Sequence, residues 1–260
     1  MDFFVQKNSI VRQIWGKSDT VLFIFAGAAA EFALNKAVDW LYFTGRLPTD
    51  PLGRLFSTVS YARRIIFSGN DRALREIDSI YAIHKTVENN RGDTIPDWAY
   101  RDVLFMLIHY SIASFEVLER KLSPEEKQEV YDVFYRFGTR MKLKELPTNY
   151  ISWRQKRKSD MENDLEKGGY TSDLFLQYKK HLGNIRYFIL VEGQKLIIPG
   201  KVRSLLGFSR FSFLTPILPF YKLSKWMHLD GLLKKLLLPK KYEREIREID
   251  VYKAAYQNMA

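Results

Sequence analysis

Cysteine is absent from the 260 residues, which excludes disulfides, thiolate metal sites and cysteine nucleophiles together. Any metal or cofactor must therefore be held through histidine, carboxylate or phenolate groups. Long hydrophobic runs are missing as well. The most apolar early stretch, Val21 to Ala30, ends at Glu31, and Lys36 and Asp39 follow, so it is too short to span a bilayer. The opening Met1-Asp2-Phe3-Phe4 has no basic region leading into an apolar segment and a small-residue cleavage site. No secretory signal is expected, and the setting is read as cytoplasmic, with at most peripheral membrane contact. Alternating strand patterns and internal repeats are also lacking.

What is present is apolar, aromatic and basic. A hydrophobic share of 46%, with 18 Phe and 15 Tyr, is ample for a packed core. Forty-one basic against 30 acidic residues give a net charge of +11. Such a balance suits an anionic partner, such as a propionate-bearing cofactor or an acidic lipid surface, or serves solubility alone. Nucleic acid is not expected as a partner, because the basic residues are scattered among acidic ones and no binding module is visible.

Helical periodicity dominates, and the expected fold is all-α. One long helix is predicted over Asp19 to Phe43, capped by Ser18 or Asp19 and ended by Gly45. Its centre, Ala26-Gly27-Ala28-Ala29-Ala30, has little side-chain volume, so another helix or a flat ligand can approach the backbone. Leu47-Pro48-Thr49-Asp50-Pro51 interrupts the pattern. Further helices are expected from Leu52 to Phe67 and from Asp71 to Glu88, followed by the loop Asn89 to Asp93. The segment Asp97 to Arg120, apolar on nearly every side, reads as a central helix. Ser123-Pro124-Glu125-Glu126 has a capping-box pattern opening a helix to Arg140. Leu146-Pro147-Thr148 ends that region, a charged helix is expected over Trp153 to Lys167, and Thr171-Ser172-Asp173 caps another towards Val191.

From Pro199 onward the character changes. Phe208, Phe211, Phe213, Ile217, Phe220 and Tyr221 precede Lys222, Lys225, Lys234, Lys235, Lys240 and Lys241 interleaved with leucines. Docked C-terminal helices are expected there. An alternative is a segment lying on an anionic membrane.

Two polar constellations interrupt the apolar patterning. His84 shares a helix face with Ile77, Ile80, Tyr81 and Val87, and an imidazole there must hydrogen-bond, ligate or titrate. It is read either as a satisfied core residue or as a ligand. Arg54, Ser57, Thr58 and Tyr61, three or four apart, share a face of the preceding helix; structural partners such as Glu31 or Asp39 are one reading for Arg54. His109 is read as a second ligand or an acid-base group, or as a structural residue bonded to Glu116 or to a backbone carbonyl. His181 and His228 carry no assignment, and no paired Glu-x-x-His motifs for a di-iron site occur.

Several segments, in order, resemble one family. These are Asp50-Pro51-Leu52-Gly53-Arg54-Leu55-Phe56-Ser57-Thr58, Ile83-His84-Lys85-Thr86-Val87, Tyr100-Arg101-Asp102 leading to Ile108-His109, Glu145-Leu146-Pro147-Thr148 and Pro199 to Gly207. Together they are similar to the rubber oxygenase (latex-clearing protein) and mpaB-type oxygenase catalytic domain. The resemblance implies a globin-like helical core holding haem b and an oxygenase that activates dioxygen to oxidise or cleave an apolar or lipid-like substrate. It implies His84 as the proximal iron ligand, with Arg54, Ser57 and Thr58 at the family's distal R-x-x-K-T pattern; Tyr61, on the same helix face as these, and His109 are read as further cofactor contacts. Arg54 and Thr58 would then donate to dioxygen, and Arg63 or Arg64 would pair with haem propionates. Ser57 stands where rubber-cleaving members have lysine, and Leu34-Asn35-Lys36-Ala37 stands where many relatives have His-Pro. The expected organisation is a haem-binding, oxygenase-like domain over 1–210 and a basic, aromatic extension over 211–260. Non-catalytic haem binding, or a haem-free membrane-associated helical protein, is the alternative function.

Overall fold

The computed structural model describes residues 2–45 and 50–226, without the side chains of 51, 52, 54–56 and 224–226. Among these residues there are eleven α-helices, one short 3-10 turn and no sheet, so the all-α expectation holds. The helices are α1 (Ile10–Trp15), α2 (Ser18–Phe32), α3 (Asp39–Phe43), α4 (Pro51–Phe67), α5 (Asn70–Arg91), α6 (Asp97–Leu118), α7 (Pro124–Arg140), α8 (Tyr150–Asp164), α9 (Gly169–Ile197), α10 (Gly200–Leu206) and α11 (Leu218–Trp226). The basic residues from 227 onward lie outside the described part.

The central helix is α6, which buries residues on all its faces, from Arg101 and Asp102 through Phe105, Met106, Tyr110 and Phe115. Its most extensive partner is α2. The small residues of α2 explain why. A Cβ on Gly27 would fall 2.3 Å from the Tyr110 ring and 2.8 Å from Ile197 Cδ1, so only glycine permits this approach. Ala26, Ala28 and Ala29, by contrast, line an internal cavity. The small-residue stretch thus serves helix packing on one face and leaves ligand-sized space on the other.

The single helix predicted over Asp19 to Phe43 is two helices. Asn35 breaks it. Its Oδ1 accepts from Ala37 N (2.9 Å), its Nδ2 donates to Asp102 Oδ2 (2.8 Å), and the flanking backbone pairs with α8's end, Glu166 N to Leu34 O and Lys36 N to Asp164 O. A local side-chain bond and remote tertiary bonds together outcompete continuation of the helix. Ser18 and Asp19 fall inside α2, whose N-cap Lys17 makes no side-chain cap. The capping box at Ser123 and Glu126 forms as expected, and Asp50 caps α4 by accepting from Gly53 N at 3.1 Å. Helix α9 outruns its predicted end by several residues and absorbs a kink at Gly183 (φ 73°, ψ 170°), a conformation open to glycine at little cost.

Beneath these helices lies a buried polar layer. Glu31 Oε2 accepts from Tyr110 OH (2.8 Å) and from Arg157 Nη2 (2.7 Å). Nearby, Asp102 sits with Asp160 and Asp164, while Arg101 and Lys156 pair with Asp160. After α10 the chain returns to the core: Ser212 donates to Glu192 O, and Tyr221 OH donates to Asp19 Oδ2 at 2.5 Å.

Candidate functional site

A cavity of about 1180 Å³ runs through the molecule, bounded mainly by apolar side chains of α2, α4, α5, α6 and α9 and by residues 214–221. It exceeds the roughly 300–1,000 Å³ of ordinary small-molecule sites. Several large side chains that count as exposed, Phe43, Ile83, Val103 and Ile217, line this space. The cavity thus presents an apolar surface that favours an apolar occupant.

Four residues singled out from the sequence line the cavity. Ser57, Thr58 and Tyr61 come from α4, and His84 comes from the adjacent α5. The His84 ring is oriented from two sides. Nδ1 lies 2.8 Å from Ile80 O one turn back; a carbonyl can only accept, so Nδ1 is the donor in this contact. Tyr100 packs edge-on at 5.2 Å between ring centroids. Tyr100 is itself held by donating to Glu88 Oε1 (2.9 Å), and Glu88 also receives Lys85 Nζ (2.6 Å) and Ile95 N (3.1 Å). Burial works to raise the Glu88 carboxyl, but these hydrogen bonds outweigh it and hold the group below its ordinary value. Burial, with the bond to Glu88, pushes the Tyr100 phenol well up, so it stays protonated.

The remaining expectations fare differently. Arg54 lies on α4, but its side chain is outside the described residues; the carboxylates suggested for it are engaged, Glu31 as above and Asp39 with Arg91 at 2.6 Å. His109 does not line the cavity. It sits against Tyr110 with Nε2 3.4 Å from Ile197 O, and burial depresses its pKa to about 3. Glu116 binds Lys121, Lys127 and Leu122 N rather than His109. Arg64 pairs with Glu76 at 3.0 Å and lies over the Tyr61 ring.

The sequence reading missed Tyr100, Asp19, Tyr221 and Arg186, all of which line the cavity or support it. Tyr100 was visible only as part of a motif, since its contact with His84 crosses from α6 to α5. Arg186 could have been found from spacing: Leu174, Tyr178, Leu182, Arg186 and Leu190 recur every fourth residue, and all five line the cavity.

The donor set limits what could be held here. Among the described residues no three His, Asp or Glu side chains gather into a metal cage. A metal at His84 would need its other ligands from the occupant, as a porphyrin's four nitrogens provide. An imidazole whose Nδ1 donates to a carbonyl and which lines a large apolar cavity fits that requirement.

No helix among the described residues is long and apolar enough to cross a membrane. No curated protein and no solved structure matches the chain. The family model for the ER-bound oxygenase mpaB/B'/rubber oxygenase catalytic domain matches residues 13–156, a segment that carries Ser57, Thr58, Tyr61, His84 and Tyr100. On that match the chain belongs to the mpaB/rubber oxygenase catalytic-domain family.

Proposed function

We propose that the protein is a haem b-dependent oxygenase acting on an apolar substrate, with His84 as the residue that would hold the iron. The observation that carries this reading is the His84 ring, with its Nδ1 proton directed to Ile80 O and its imidazole on the wall of the cavity. Haem, when bound, supplies the redox-active iron that dioxygen activation needs. The Ile80 carbonyl fixes the ring's tautomer and increases its basicity as a ligand, and Tyr100, locked by Glu88, limits rotation of the ring. The hydroxyls of Ser57 and Thr58, which line the same cavity, would supply short hydrogen-bond donors there. Arg54 is kept in this role from its position on α4. A serine at position 57 carries a shorter side chain than the lysine of rubber-cleaving members and would leave more of the cavity to an apolar substrate. Tyr61 bounds the same space, and the apolar walls keep water from it.

The direct test is uptake of haemin by the purified chain and by His84→Ala. The wild type is expected to develop a Soret band and to melt at higher temperature when haemin is added. Binding at one hundred times Kd is worth about 2.7 kcal/mol. His84→Ala is expected to lose both the band and the thermal shift. A wild type that takes up no haemin, or a variant that takes it up equally well, overturns the reading.

A second reading, peripheral contact with an anionic membrane, is favoured by Phe211, Phe213, Phe220 and Leu223. All are exposed, Phe220 at 72%, beside exposed Arg210 and Lys222 and next to the cavity-lining Leu214 and Tyr221. Aromatic and basic residues mixed in this way insert at headgroup depth. Flotation of the full chain with anionic liposomes is expected to fall severalfold in the double variant Phe211→Ser, Phe220→Ser. Equal flotation of both proteins removes this reading.

A further inference from the structure

Arg186 lies beyond the segment that the family model covers and on the cavity-facing stripe of α9. Its surroundings are unusual for an arginine. Among the described residues it is the one lysine or arginine that lines the cavity. Several other arginines with a buried guanidinium nitrogen have partners elsewhere on the side chain: Arg91 with Asp39, Arg101 with Glu145, Arg157 with Glu31 and Arg203 with Lys195 O. Arg186 has none among the described residues, and its Nε is buried without an acceptor. A half-buried guanidinium facing apolar walls, with no counter-ion among the described residues, leaves strong, planar donors unmatched. The protein could have placed leucine at this step of the stripe, as it does at Leu174, Leu182 and Leu190.

We propose that Arg186 is the anion anchor of this cavity, and that its occupant is amphipathic, with a large apolar body and a carboxylate that Arg186 binds as a bidentate partner. This deepens the functional reading above and rests on it for the cavity's use, but not for the anchor itself. Two sources could supply the carboxylate: a substrate with a fatty-acid-like head, or a propionate of the porphyrin. The apolar body lies along the α9 stripe in either case, and the charge discriminates such molecules from neutral ones of equal size.

The experiment compares carboxylates with their neutral counterparts on the full chain. Decanoate and decanol are titrated calorimetrically below their aggregation limits, and haemin and haemin dimethyl ester are titrated by absorbance, into the wild type, Arg186→Gln and Arg186→Lys. One charge-assisted bidentate contact is worth about a tenfold to hundredfold preference for the carboxylate. If the substrate supplies the carboxylate, the wild type prefers decanoate over decanol by that factor. Arg186→Gln abolishes the preference while leaving decanol affinity unchanged, and Arg186→Lys retains part of it. If the porphyrin supplies it, the same pattern falls on haemin against its dimethyl ester. A wild type that binds both members of both pairs equally overturns the proposal without reference to any variant, and so does a preference that survives in Arg186→Gln. His84→Ala separates this result from the haem reading: it removes the Soret band and leaves the preference for decanoate intact.

Discussion

Glu31→Ala is expected to destabilise the fold by about 3–5 kcal/mol, the loss found when one partner of a buried ion pair is removed. Glu31 is 1% exposed and Arg157 5% exposed, and the same carboxylate oxygen receives both Arg157 Nη2 and Tyr110 OH. Removing it strands a buried guanidinium and a buried phenol in one step. Urea unfolding should show a lower midpoint at unchanged slope, and a chain of this size should melt roughly 10 °C lower. The companion double variant Glu31→Leu, Arg157→Met should recover much of the loss, because the cost lies in the stranded charge rather than in the missing bond. A single variant as stable as the wild type would show that water reaches Arg157.

Asp102→Asn is expected to make the protein more stable than the wild type at pH 8. Asp102 is buried, and burial, reinforced by Asp164 and Asp160, raises its carboxyl from 3.8 to about 7. Between about pH 4 and pH 7 the folded state therefore holds a proton that the unfolded chain has released. Stability from this group falls as pH rises through that window and changes no further above it. At about 1.4 kcal/mol for each tenfold change in proton affinity, the full loss is on the order of 4 kcal/mol. Asparagine is neutral at every pH and still offers an oxygen to Asn35 Nδ2, which now bonds Asp102 at 2.8 Å. The gain of Asp102→Asn over the wild type should appear above pH 4, grow to pH 7 and then level off. Glu88, Glu116 and Glu192, held below their ordinary values, act in the opposite sense and lose stability as pH falls. The informative quantity is thus the difference between the two proteins at each pH. A difference that is flat from pH 4 to 8 would overturn the assignment.

Much of the helical plan was legible locally. The stripe of Ile77, Ile80, Tyr81, His84 and Val87 predicted the helix that carries His84, and four of the five site residues from α4 and α5 line one cavity, Arg54 being the one whose side chain is not described. Where the reading failed, the determining partner was remote. Asn35 ends α2 because Asp102, 67 positions away, and residues 164–166 bind it and its neighbours. Nothing in the local pattern from Asp19 to Phe43 contains that information. For His109 the reading offered Glu116 or a backbone carbonyl; the ring lies against Ile197 O, while Glu116 turns to the loop that follows the helix and takes Lys121 and Leu122 N. Arg64, a candidate for haem propionates, is engaged by Glu76 on α5 instead.

The bond from Tyr221 to Asp19 joins positions 202 apart, and it bears on how the cavity is assembled during synthesis. Residues 13–156, with His84 and its supports, leave the ribosome well before Tyr221 does, at a pace of roughly 5–20 residues per second. Until that tyrosine arrives, the wall made by residues 214–221 does not exist and the apolar interior stands open on that side. The nascent chain thus has an interval of seconds in which a bulky, poorly soluble molecule can enter without forcing apart any finished packing. Closure of this long loop then follows, as a seal over whatever has already been loaded.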